Sequence, residues 1–268
     1  MVQTLTAVCL LGALLAAGPA VAQTPEPAPD PDLPNLLKEL KSLVSDRAMA
    51  DDFQAIGLIQ KLSKEPDKIN PKDAEKIAKS LGDVFKTGKV RPPEKDILYR
   101  ETADALSKFG AEGAKAIAKA LGDNRFKDMI ALQAHMILAL GKTKDEKQVD
   151  WLLDTTTRSP HDELRGAAGE ALGNYTSLAI RERRDVVKGI IREWGSLQSK
   201  ATTLDSNDPN APIDPGPQNA RKTLQVVEGK WNNTLHKLTG VQNTQFTDWQ
   251  RWLNKNPNWE PPEPSKAP

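Results

Sequence analysis

Cysteine is nearly absent from this 268-residue chain: the only one is Cys9, inside an apolar N-terminal run. Beyond it the chain cannot form a disulfide, a thiolate nucleophile or a Cys-ligated zinc site, so its stability must come from packing. Aromatic residues are 5 % of the total, and there are three histidines. Neither sign of charge dominates, since 37 Lys and Arg face 36 Asp and Glu for a formal +1. That balance argues against a protein dedicated to nucleic acid, whose affinity rests on neutralising phosphates. The apolar N-terminal run, Ala7 to Ala17, is eleven residues long, short of the ~20 that span a bilayer.

That run is followed by Gly18-Pro19 and then Ala20-Val21-Ala22, which predicts a signal peptide over residues 1–22 cleaved after Ala22. No Lys or Arg precedes the cleavage point, so only the terminal amine supplies a positive start, and an uncleaved anchor is the alternative. Export to the periplasm, cell envelope or extracellular space follows, with no stable membrane insertion after cleavage. Cys9 would leave with the signal. Past residue 22 the hydrophobic fraction falls to about 35 %, lean for an enzyme with one thick core.

Ala, Leu, Lys and Glu make up most of what remains, a composition that suits helices. Pro-rich stretches at 23–34 and 257–268 predict a disordered linker and tail that bury nothing. Asp205 to Pro217, with four prolines in thirteen residues, predicts a surface loop. Between these, caps mark helix starts at Asn70-Pro71 and Ser159-Pro160, with looser capping boxes at Asp145 to Gln148 and Thr247 to Gln250. Gly88, Gly110 and Gly240 stand where helices should stop. Apolar residues between the marks recur at helical spacing, and no segment of strand alternation competes.

The helical segments also repeat. Residues 77–83 read IAKSLGD and residues 117–123 read IAKALGD, 40 positions apart. A second frame links Leu98 to Phe109, Leu132 to Thr143 and Leu164 to Tyr175, with Ala105-Leu106, Ala139-Leu140 and Ala171-Leu172 in equivalent slots. Weaker copies end at Leu62 and Leu238. Small residues on one stripe allow close helix approach, and a single pair cannot bury both its faces, so neighbouring pairs must stack. The expected fold is therefore all-α.

The segment Leu164-Arg165-x-x-Ala168-x-x-Ala171-Leu172-Gly173 resembles the first helix of a HEAT-like (armadillo-type) repeat, and the ending Leu238-Thr239-Gly240, Phe246, Trp249, Trp252 is similar to that of exported bacterial members of that class. The resemblance implies an α-solenoid of about five antiparallel helix pairs, a HEAT-like superhelix over residues 35–240, closed by a capping helix at 241–256. It also implies a non-enzymatic scaffold that binds another protein, without a cofactor.

The sequence carries no recognised catalytic pattern. None of His135, His161 and His236 has a second His at metal-binding spacing, and no nucleophile elbow, phosphate-cradling loop or haem-attachment motif occurs. Two surface features remain. If the second helix of each pair lines the inner curve, as the resemblance implies, Lys76, Lys79, Lys115, Lys119, Arg184, Lys188 and Arg192 form a basic band suited to binding an acidic peptide, a polyanion or an anionic lipid head; with acids such as Glu75, Glu112 and Asp185 nearby, an ordinary solvated face is the plainer account. Trp249 and Trp252 share one face of a short helix, and either seal the open end of the array or display rings to a glycan or small ligand. An enzyme with its site in the loops Thr87 to Lys95 or Leu204 to Gln218 is the remaining alternative.

Overall fold

The computed structural model describes residues 27–203 and 214–261. The expected signal peptide and most of the expected loop at 205–217 lie outside the described residues. Among the described residues there are eleven α-helices and no strand. They are α1 (Leu33–Val44), α2 (Asp52–Leu62), α3 (Pro71–Val84), α4 (Ile97–Leu106), α5 (Gly110–Leu121) and α6 (Ile130–Lys142). Then follow α7 (Val149–Arg158), α8 (Asp162–Leu172), α9 (Ile180–Thr202), α10 (Gly216–Thr239) and α11 (Phe246–Lys255).

Neighbour relations among the helices alternate. The even-numbered helices α2, α4, α6, α8 and α10 each pack on the next, while α1, α3 and α5, and again α7, α9 and α11, pack in succession beside them. Cross-packing of α3 on α4, α5 on α6, α7 on α8 and α9 on α10 joins the two rows. The two repeat frames sort onto these rows: IAKSLGD and IAKALGD fall on α3 and α5, and the longer frame falls on α4, α6 and α8. The equivalent slots Ala105-Leu106, Ala139-Leu140 and Ala171-Leu172 are all buried. Small residues there let backbones meet: a Cβ placed on Gly141 of α6 would stand 2.6 Å from the Ala171 Cβ of α8. Likewise, a Cβ on Gly169 of α8 would lie 2.2 Å from the Trp231 indole nitrogen of α10.

The long connection between α3 and α4 is held by a buried cation. Arg91 is 0 % exposed and grips Asp52 with Nη2 to Oδ1 at 2.6 Å and Nε to Oδ2 at 3.1 Å. Its Nη2 also donates to the Val44 carbonyl at the end of α1, and the Tyr99 hydroxyl accepts from its backbone N–H. Phe85, Tyr99 and Phe126 pack ring against ring beside it. Charge alone did not reveal this clasp, because Asp52 and Arg91 are 39 residues apart.

Several local expectations shift. Asn70 does cap α3, accepting from Lys72 N–H, and Gly240 ends α10 in the left-handed region at φ 74°, where a side chain would strain the backbone. Ser159, by contrast, binds the His161 N–H in a turn, and α8 begins only at Asp162. Thr247 lies inside α11, which starts at Phe246 after an irregular stretch at 241–245. Gln148 meets Asp145 side chain to side chain instead of capping a helix. The Pro-rich ends also differ from the linker and tail expected to bury nothing. Leu33 is buried at the start of α1, the Asp30 N–H donates to the Asp73 carboxylate, and Trp259 is buried beyond α11.

Candidate functional site

Two residues of the expected basic band, half-buried Lys188 and exposed Arg192, stand on one flank of α9. Their spacing of four places both side chains on one helical face, and the same face continues through Gly195, Ser199 and Thr202. Opposite runs α11. Phe246 at its start rests on Gly195, where a Cβ would come within 2.7 Å of the ring, and leans on Trp194 with ring centroids 6.1 Å apart. A side chain at position 195 would push α11 away. Because Gly195 has none, the helices meet there and leave an open groove of about 1260 Å³ between them.

The groove walls combine three chemistries. Lys188 and Arg192 supply charge; Gln198, Gln245, Gln250 and Asn254 supply amides that both donate and accept; Ile191, Phe246 and Leu253 supply apolar floor. No Asp or Glu lines it, and among the described residues neither Lys188 nor Arg192 makes an ion pair. On the same helix Glu193 is taken by Arg165 at 2.6 Å, and Asp185, three positions before Lys188, makes no ion pair with it and lies outside the groove lining. An uncompensated pair of cations beside neutral polar groups attracts a carboxylate-bearing ligand, and the lining offers no acid or imidazole to activate its hydroxyls.

The other members of the expected basic band are placed differently. Arg184 is engaged in the fold, with Nε donating to the Trp259 carbonyl at 2.8 Å and Nη2 to the Asn258 carbonyl at 2.6 Å. It pins the segment after α11 and does not join the free cations. Lys79 and Lys119 line the α3–α5 groove with Lys86 and Lys115, but Glu75, Asp83 and Glu112 line it too and offset three of the four charges. Lys76 pairs with Asp73 at 2.9 Å. The band therefore resolves into one cluster mixed with acids, one structural arginine and one pair whose groove lining holds no acid.

The tryptophans pack as a lid. Trp249 is 0 % exposed, its Nε1 donates to Asn232 at 2.6 Å, and its ring lies 5.6 Å from that of His236 on α10. Trp252 meets it edge to face at 5.7 Å and in turn touches Trp259 at 5.6 Å. Trp249 is thus sealed from any ligand, while Trp252 is only half-buried. Trp151, 42 % exposed on α7, faces solvent more openly.

The histidines stay apart. His135 reaches Asp104 at 2.9 Å, and Lys142 shares the same carboxylate at 3.2 Å. Among the described residues no group of three or more His, Cys, Asp or Glu could hold a metal ion, and no helix is long and apolar enough to cross a membrane. The loop Thr87 to Lys95 is occupied by the Arg91 clasp, and residues 204–213 lie outside the described residues.

Sequence reasoning found Lys188 and Arg192 but missed the opposite wall, above all Phe246, Gln250 and Asn254. A signal for the groove was present: Lys188, Arg192, Gly195, Ser199 and Thr202 follow a 4-3-4-3 spacing with no large apolar residue, an uncovered stripe on an otherwise packed helix. No known family model, curated protein or solved structure matches this chain.

Proposed function

We propose that this protein is an exported, non-catalytic interaction scaffold, built as an α-solenoid of HEAT-like antiparallel helix pairs, that holds a protein partner on the row containing α9 and α11. In support of the solenoid, the even row packs in succession from α2 to α10, the odd helices do so in two runs, α1–α3–α5 and α7–α9–α11, and the two sequence frames separate onto the two rows. The observation that carries the function is the open α9–α11 groove of about 1260 Å³, polar on both walls and positively charged on one. A groove of this kind positions a ligand and offers it no reactive group. The N-terminal run and its Ala20-Val21-Ala22 ending support export, with the mature chain beginning at Gln23.

A photo-cross-linking residue placed at Gln250 on the groove wall, with a second variant at Gln54 on α2, tests the reading in the protein's own host. One defined protein adduct from Gln250 and none from Gln54 is expected, from a chain whose N-terminal residue is Gln23. No adduct at Gln250, or the same adducts from both positions, overturns it.

A further inference from the structure

The geometry points to an acidic, extended peptide segment as the ligand of the α9–α11 groove, with a carboxylate held between Lys188 and Arg192. This rests on the scaffold reading above and names the chemistry of its partner. On an α-helix, side chains four apart have Cβ atoms about 6 Å apart, close enough for one carboxylate, or two flanking ones, to meet both cations. Neither cation is spent on an acid among the described residues, so binding breaks no existing pair. In the α3–α5 groove, an anion would have to displace Asp83 from Lys86, 3.7 Å away, and approach Glu75 and Glu112 as well. Charge complementarity therefore favours the α9–α11 groove over the α3–α5 one, and the α1–α3 groove, where Lys38 and Lys41 also stand without an ion pair among the described residues, is smaller at about 520 Å³ and holds an acid, Asp83, in its lining.

The rest of the groove suits a peptide better than a polyanion. Gln198 on α9 faces Gln245, Gln250 and Asn254 across the gap, and these amides match the alternating N–H and C=O groups of an extended backbone. Phe246 and Leu253 give an apolar side chain a place to lie. Two cations are too few for a sulfated glycan or an anionic bilayer, whose binding grows with the number of charges neutralised.

The full-length protein is titrated, by fluorescence anisotropy, into a labelled peptide of alternating Glu and Leu, with its Lys-for-Glu counterpart, heparin and phosphatidylglycerol vesicles as parallel probes. Binding of the acidic peptide alone is expected, weakening as salt rises. Lys188→Gln and Arg192→Gln should each weaken it about tenfold, and Lys79→Gln with Lys119→Gln should leave it unchanged. Circular dichroism on each variant shows whether the fold is intact, and Gln250→Ala, on the opposite wall, supplies a second, charge-neutral loss of at least several-fold. The inference is overturned by an acidic peptide that does not bind, by binding indifferent to Lys188 and Arg192, or by tighter binding to heparin or vesicles. A partner cross-linked at Gln250 whose capture survives Lys188→Gln/Arg192→Gln would sink the acidic-peptide inference and leave the scaffold standing.

Discussion

Replacing Gly169 with Ala perturbs the closest approach between α8 and α10. The new Cβ would sit 2.2 Å from Trp231 Nε1 and 2.3 Å from Cδ1, far inside contact distance. Trp231 cannot swing away freely, because it is fully buried, its Nε1 donates to the Arg165 carbonyl at 3.3 Å and the Arg165 guanidinium lies over its ring at 5.7 Å. Nor can α10 slide, since Thr234 donates to the Gly169 carbonyl at 2.7 Å. Overpacking of this kind costs about 2–3 kcal/mol. Loss of the indole hydrogen bond adds ~1 kcal/mol. Ala regains ~1 kcal/mol over Gly through helix propensity. The net is a loss of about 2–3 kcal/mol, a fall in Tm of about 4–12 °C for a chain this size. Differential scanning calorimetry of G169A, W231L and the double variant isolates the cause. In the Trp231→Leu background the clash is gone, and Gly169→Ala should instead stabilise by up to ~1 kcal/mol. A Tm that rises in the parent protein, or that changes equally in both backgrounds, refutes the proposed contact.

Four further outcomes follow from the same structure. Gly57 and Gly229 are exposed in mid-helix, and a methyl added at either would meet nothing within 4 Å, so Gly57→Ala and Gly229→Ala should each add about 0.5–1 kcal/mol in urea titration. Asp52→Ala leaves the Arg91 guanidinium buried without its partner and should cost about 3–5 kcal/mol in the same assay, while Asp52→Ala/Arg91→Met recovers part of the loss. Trp249→Ala should lower stability by ~3–5 kcal/mol, because the ring is enclosed; unchanged melting would show that the lid carries little of the fold. Burial, helped by the charge of Asp145, pushes the Tyr175 phenol well above its usual range. Its contribution to stability is therefore complete below pH ~10 and is lost as pH rises beyond that, so alkaline unfolding monitored at the tyrosinate absorbance should be delayed in onset and weakened by Tyr175→Phe.

The fold was legible in the sequence where a rule is local. Pro71 after a capping Asn70, the left-handed Gly240 and the paired Ala-Leu slots each depend on residues within a turn or two, and the structure uses them as expected. Ser159 and Thr247 misled because a hydroxyl near a helix start serves a turn as readily as a cap, and only the neighbouring packing decides where α8 and α11 begin. The Arg91 clasp and the docked ends were hidden for a different reason. They join residues 39, 43 and 75 positions apart, and composition that is PPII-like on average says nothing of one buried Leu33 or Trp259. At the site, charge identified Lys188 and Arg192, but Arg184 carried the same charge on the same helix. Only the path of the segment after α11, which brings the Asn258 and Trp259 carbonyls to it, separates a structural arginine from free ones.

The central claim is that the helices advance in rows instead of gathering about one centre, and distances between spin labels test it most directly. With Cys9 replaced by Ser, cysteines are introduced at exposed Gln60 on α2, at Gln133 on α6 and at exposed Asn233 on α10, and labelled in pairs. Packed helices are spaced by about 9 Å, so the separation should grow from about 18 Å for Gln60 to Gln133 to about 35 Å for Gln60 to Asn233. Two separations of similar size, both near 20 Å, would place the helices around a common core and contradict the account.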